Sequence, residues 1–570
     1  MRGQPPRRRT VGSPVVRDRL LWASTAVAPL IAGLATIALQ RASGVTMFDD
    51  ELGFLGEAVY FSTRDGAPLL AGIPFYSAGY PALLALPMSV VPFDPWVVAV
   101  GVNLVLLGAL GPVLHAMARR LFGLRGIAAA VVAIAGATAT SVVFQTPRAW
   151  AEVCIAFAFT LWAWLLLRYS RLGPGRGALP LTVAAGVMLA VHRRSSIVVL
   201  LTLGAVALWS LAPLVRRGNE PWRERARAVP WRSFLLAEVA GVATAAAALA
   251  LDAHVVDRLY DGTTSGSRLD KAQNLLSTDW IPAALGHLWS FLATTFVLAG
   301  VGSLFLLWAI RARRHIVFST VLLLAVAAIA GTSVLFLANG IRADQLVYER
   351  YLAATAPVLV MVGAGAVAAR IGPVRSWVLA SAGVLAASGF VLSISLEASR
   401  LTGNVQKFTT PTLTSFDMVV TGWGEPFTEG IHVLPITAVV LAVVAVVGAA
   451  ASWRAWLGPA VVVAASAATV AAGSAGNLKP FTDQWEPTGR EAARVLAAAD
   501  VDVLQYAPNL RHEVRNVLHY RLGYPDTVLT HPPSCAVSPY TVGPPTLEDE
   551  GLIPVIGVGN FPGGVYLLDC

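Results

Sequence analysis

Residues 20–61 read LLWASTAVAPLIAGLATIALQRASGVTMFDDELGFLGEAVYF. The first part, residues 20–39, carries no charge, and as a helix rising about 1.5 Å per residue it matches the roughly 30 Å hydrocarbon core of a bilayer. The basic tail 1–19 precedes it. The run is too long for a signal-peptide core and lacks a small-x-small cleavage site, so it reads as an anchored first helix with its N-terminus inside. Similar runs recur at 96–118, 126–144, 150–167, 178–191, 196–215, 233–251, 284–310, 316–338, 352–369, 376–396, 432–451 and 456–473. The chain of 570 residues is 56% hydrophobic and only 13% charged, with a mean hydropathy of +0.65, well above the roughly 45–50% apolar content of soluble domains. An ordinary cytosolic enzyme is thereby excluded. The expected fold is an all-α polytopic membrane protein with about 13 transmembrane helices. The apolar stretch 80–91, flanked by Pro81, Pro87 and Pro92, is too short to span and reads as re-entrant or interfacial.

Loop charge supports this count. With thirteen spans, the inside segments hold 24 Lys and Arg against 3 Asp and Glu, whereas carboxylates outnumber basic residues in the outside loops before residue 474. That asymmetry is the positive-inside pattern. The net charge of +9 therefore reports orientation and not nucleic-acid binding. Lysine occurs only at Lys271, Lys407 and Lys479, an arginine bias that reads as a GC-rich bacterial genome. An odd number of spans places the tail, 474–570, outside. Composition changes abruptly there, toward Pro, Asp, Glu and His, and 501–506, 527–530, 552–558 and 565–568 are strand-like while 490–499 and 509–522 are helical in period. The expected domain plan is a cytoplasmic tail 1–19, a membrane domain 20–473 whose first outer loop is 41–95, and a small periplasmic or extracellular α/β domain, 474–570.

Three cysteines, Cys154, Cys535 and Cys570, are too few and too scattered for a zinc ribbon or an iron–sulfur cluster. Cys535 and Cys570 share the exported tail and are expected to form a disulfide. No Walker loop, strand-linked G-x-G-x-x-G or H-E-x-x-H is present, so no nucleotide or resident cofactor is expected.

Chemistry in such a chain should lie with polar groups that the membrane would otherwise exclude. Asp49, Asp50 and Glu51 follow the first span. Carboxylates this close raise one another's proton affinity, which suits a general base. The same residues also suit a helix start, with an aspartate as N-cap and Glu51 complementing the dipole, or oxygen ligation of Mg²⁺ or Mn²⁺. His192, Arg193 and Arg194 sit at the outer end of the short span, against the positive-inside trend; the two guanidiniums suit a phosphate, or else snorkel to water or pair with an outer-loop carboxylate. Arg350 and Tyr351 precede a late helix; Arg350 binds an anion or pairs locally with Glu349 or Asp344. Arg148 and Glu152 bracket another helix start and suit either a substrate region or an ion pair. Tyr76 and Tyr80 lie behind the acidic cluster.

An acidic pair after the first helix, the Gly79-Tyr80-Pro81-Ala82-Leu83-Leu84-Ala85-Leu86 stretch, the Pro147-Arg148-Ala149-Trp150-Ala151-Glu152 helix start, and Glu349-Arg350-Tyr351-Leu352 together resemble the GT-C glycosyltransferases. That group includes protein mannosyltransferases, the aminoarabinose transferase of lipid A, and envelope mannosyl- and arabinosyltransferases. The resemblance covers the membrane region. It implies a first-loop aspartate, Asp50 or Asp49, as general base near the acceptor, with Arg193 or Arg194 and the Arg350-Tyr351 pair at the donor phosphate. The tail does not read as the all-β module of the large arabinosyltransferases, and no W-W-D-x-G run is present. The expected activity is transfer of a sugar from a polyprenyl-phosphate donor to a glycan, lipid or protein acceptor of the cell envelope, at the outer face of the cytoplasmic membrane. The rival reading is a lipid-linked sugar transporter or flippase, whose arginines grip phosphate without chemistry, but mid-membrane charges and pseudo-symmetric halves are not evident. Reporter fusions at residues 225 and 480 are expected to report opposite sides of the membrane; the same side for both would break the topology.

Overall fold

The computed structural model describes residues 13–42, 49–63, 75, 77–91, 94–215, 222–260, 280–337, 343–399, 410–422 and 430–478, with 491, 494, 496–498 and five short strands beyond them. The main helices are α1 (Ser13–Gln40), α2 (Asp49–Thr63), α3 (Gly79–Met88), α4 (Pro95–Phe122), α5 (Gly126–Ala137), α6 (Glu152–Leu172), α7 (Pro174–Val191), α8 (Ser196–Val215) and α9 (Trp231–Leu259). They continue as α10 (Trp280–Thr294), α11 (Leu298–Arg311), α12 (Ile316–Leu337), α13 (Arg350–Ala353), α14 (Ala356–Ala368), α15 (Val374–Ser399), α16 (Pro411–Val420), α17 (Val433–Trp453) and α18 (Leu457–Gly473). The chain is a polytopic helical membrane protein. Among the described residues, nine helices are long and apolar enough to cross a bilayer, and two further pairs qualify only as bent units.

Local sequence explains several boundaries. Asp94 caps α4, its carboxylate accepting from the backbone N–H groups of Trp96 (2.9 Å) and Val97 (3.3 Å), and Pro95 occupies the first turn. Arg119 and Arg120 fill the last turn, and Gly123 closes it at φ +68°, a left-handed conformation that glycine adopts without steric cost.

Three expectations are corrected in detail. The span expected at 284–310 is not one helix: α10 and α11 meet at 103°, across Phe296 and Val297, both at positive φ. The span expected at 352–369 is likewise broken, with the segment Asp344–Ala353 bent 78° from α14, whose first turn carries Pro357. The segment 126–144 stops at Ala137, and Thr140–Val143 forms a separate turn of helix. The 80–91 stretch folds as α3, about 15 Å long by helical rise and too short to span.

Beyond residue 500, strands β1 (Val503–Tyr506), β2 (Asp526–Leu529), β3 (Tyr540–Gly543), β4 (Ile553–Pro554) and β5 (Gly564–Leu567) form a sheet of order β2-β1-β3-β5-β4. β1 runs parallel to β2 and β3, while β5 is antiparallel to β3 and β4. Cys535, Cys570 and Tyr76 lie outside the described residues; Cys154 is a buried free thiol.

Lipid tails are as apolar as leucine, so the helices must hold together by close packing more than by expulsion from water. The crossing of α11 and α14 shows how. A Cβ at Gly302 would collide with the carbonyl of Leu359, and one at Gly363 with the carbonyl of Leu298. Gly363→Val is therefore expected to destabilise the fold by about 1–3 kcal/mol, the usual cost of overpacking, read as a lower Tm in detergent. Gly331→Ala, where nothing lies within 4 Å, is the control expected to leave Tm nearly unchanged.

Candidate active site

Residues from six separated segments converge at one end of the bundle. The bend before α14 presents Arg350, which is buried. Its Nη1 lies 2.6 Å from Asp50 Oδ2 in the first turn of α2, and its Nε donates to Glu152 Oε1 at the start of α6. The guanidinium also lies over the Trp150 ring, 4.0 Å from its centroid. One cation thus joins two carboxylates and an indole face, partners 198 and more residues away in sequence. Neither local partner expected for Arg350 takes that role. Glu349 instead accepts from the backbone N–H of Thr412 at 3.2 Å and from the Thr412 hydroxyl.

The acidic cluster divides. Glu51 is fully buried, and its Oε1 accepts from the Ala149 backbone N–H at 2.9 Å. Arg148, also buried, faces Glu51; burial lowers its proton affinity and the carboxylate opposes that shift. Glu152 thus pairs with Arg350 and not with Arg148, whose surroundings include the Glu51 carboxylate. Asp50 and Glu51 turn to different partners, as adjacent helical positions about 100° apart must, so they do not fit a shared cation. Among the described residues, no group of three or more His, Cys, Asp or Glu converges as a metal site. Asp49 opens α2.

The two adjacent arginines also divide. The short 3-10 turn Arg193–Ser195 sends successive side chains about 120° apart. Arg193 turns to Asp252, with Nε 2.8 Å from Oδ2, while its backbone N–H donates to Ser77 Oγ at 3.0 Å. Asp252 also accepts from the Ala78 N–H at 3.0 Å. Arg194 stacks on Tyr351, 3.2 Å from the ring centroid, and its N–H donates to His192 Nδ1 at 3.2 Å. A cavity lies beside this stack. Its lining combines the polar Glu152, His192, Arg194, Arg350 and Tyr351 with the apolar Ile155, Phe159, Met188 and Ile329. Glu152 Oε2 is buried without a hydrogen-bond partner. A lining that brings Arg194 and Arg350 together with apolar side chains suits an anion carried on a lipid chain.

Several contributors were not singled out from sequence. Asn103 donates to the carbonyls of Arg148 (2.7 Å) and Thr146 (3.3 Å) and accepts from the Tyr80 hydroxyl at 3.1 Å. It ties α3 and α4 to the segment that carries Trp150 and Glu152. A polar residue inside an apolar run was its signal. Glu57, on α2, is buried; Oε1 accepts from the Tyr260 hydroxyl at 2.7 Å, and Oε2 has no hydrogen-bond partner. Tyr260 packs edge-on against Phe75, whose face receives Arg193.

Burial, with Asp252 nearby, pushes the Glu57 pKa from the usual carboxylate value up to about 8, although the Tyr260 bond acts the other way. The sign for stability follows. Between about pH 4.5 and 8 the folded chain holds a proton that the unfolded chain has lost, so this group's contribution to stability falls as pH rises through that window. Glu57→Gln, a neutral isostere, is expected to flatten the fall of Tm between pH 5 and 8; an unaltered slope would show that other groups set it.

No family model matches the chain, and no curated protein sequence does. Solved structures do. The crystal structure of ArnT from Cupriavidus metallidurans in the apo state aligns over 95% of this chain and 97% of that one, with a TM-score of 0.53 at 15% identity. The same protein bound to undecaprenyl phosphate aligns over the same shares, with a TM-score of 0.53 at 14% identity. At this level of identity the likeness is one of fold, and it extends over nearly the whole length of both chains.

Proposed function

We propose that this protein is a GT-C-type glycosyltransferase that moves one sugar from a polyprenyl-phosphate donor to a cell-envelope acceptor at the outer face of the cytoplasmic membrane. The observation that carries the reading is the Asp50–Arg350–Glu152 cluster at the edge of a cavity whose other cation is Arg194, in a fold like that of a protein seen bound to undecaprenyl phosphate. In this reading all thirteen apolar segments cross, the N-terminus is inside, and 474–570 is an exported α/β domain.

The chemistry is economical. The donor is already activated, so no nucleotide is needed outside the cell. Asp50 takes the proton of the acceptor hydroxyl as that oxygen bonds to the anomeric carbon. The bond from that carbon to the phosphate oxygen breaks, and its electron pair leaves on the lipid phosphate, whose charge Arg194 and Arg350 balance. Tyr351 fixes the Arg194 plane by stacking. The apolar lining of the cavity takes the first isoprene units. Arg193 serves the site indirectly, holding the segment before α3 to α9 through Ser77 and Asp252.

Asp50→Asn keeps the side chain's shape and its capping capacity while removing the base. It is expected to lower turnover of a defined polyprenyl-phosphate sugar by about 10²–10⁴-fold, while the protein still folds in the membrane and still binds donor. Asp49→Asn is the companion variant. Normal turnover in both single variants and in the double variant would overturn Asp50 as the base. Donor movement across the bilayer without bond cleavage would instead establish the transporter.

A further inference from the structure

In the structure one oxygen of Asp50, Oδ2, is committed to Arg350 Nη1 at 2.6 Å, and an acceptor hydroxyl must compete with that guanidinium for it. The charges around the cavity make this commitment conditional. Asp50 and Glu152 are balanced by Arg350 and Arg194, so the four side chains sum to zero before any ligand enters. An anionic phosphate brought against Arg350 and Arg194 adds uncompensated negative charge in a poorly solvated space, and one carboxylate must yield its hold on Arg350. The two carboxylates are not equivalent. Glu152 is rooted in the first turn of a long packed helix and its side chain is 8% exposed, whereas Asp50 stands at the start of the 15-residue α2 with 14% exposure. The Trp150 face holds the guanidinium plane while its edge changes partner.

Resting on the donor reading above, we infer that Arg350 exchanges Asp50 for the lipid phosphate. Donor binding thereby releases the base, and release is withheld until the phosphate is seated. The acceptor hydroxyl meets a competent carboxylate only in the presence of a donor, which gives an ordered reaction. Linkage requires the converse as well: a carboxylate that competes with phosphate for one guanidinium weakens phosphate binding, and its removal strengthens it.

Two measurements on the full-length protein in lipid nanodiscs test this. Carbodiimide labelling of individual carboxyl groups, read by mass spectrometry with and without undecaprenyl phosphate, is expected to show Asp50 labelling rising several-fold on saturation while Glu152 stays protected. Bound lipid phosphate with flat or falling Asp50 labelling would overturn the exchange and leave the transferase reading intact. Failure of undecaprenyl phosphate to bind at all would remove both. In the second measurement, Asp50→Asn is expected to bind undecaprenyl phosphate at least about fivefold more tightly than the parent, the lower end of ordinary coupling between sites. Equal or weaker binding would overturn the exchange, because loss of a base that does not compete for Arg350 leaves donor affinity where it was.

Discussion

A guanidinium removed from water must be paired, and the pairing of Arg350 organises this end of the molecule. Removing one partner from a buried ion pair typically costs about 3–5 kcal/mol, because the remaining charge is left uncompensated. Arg350, on the bend before α14, is therefore held wherever its carboxylates are, and they stand on elements far away in the chain: α2 and the start of α6. The segment that carries Arg350 is bent 78° from α14. The same charge that costs stability to bury is the charge that suits a phosphate.

Around that pair the polar contacts are arranged as ties between loops. Asn103 holds the backbone before Trp150, Glu51 accepts the Ala149 N–H, and Asp252 gathers Arg193 and the Ala78 N–H. Each satisfies a backbone or charged group that would otherwise be stranded near lipid, where water cannot take its place. Reactive side chains are thus positioned by neighbours whose own geometry is already bonded.

Glycine does comparable work inside the bundle. At Gly302 and Gly363 the backbones of α11 and α14 approach within the space of a methyl group, the carbonyls of Leu359 and Leu298 each lying against the glycine of the facing helix. The sharp joint of α10 and α11 precedes this contact and sets the direction from which α11 arrives.

The class of fold was legible in the sequence because bilayer thickness imposes a run length that nothing else in a 570-residue chain mimics. The acidic residues after the first span, the arginine pair, and the Arg350-Tyr351 motif stood out for the same reason, since charge beside such runs is expensive. What sequence could not decide was who faces whom. Asp49, Asp50 and Glu51 are equivalent as letters, yet 100° of helix rotation sends Asp50 to Arg350 and Glu51 to Ala149. Arg193 and Arg194 divide likewise, one to Asp252 and one to the cavity. Phe296 and Val297, both at positive φ, carry no glycine or proline to announce a break, and Phe296 packs against Phe416, far away in sequence. Run length and charge are local properties and can be read along the chain; rotation about a helix axis and the pairing of distant charges are fixed only when all the helices pack at once.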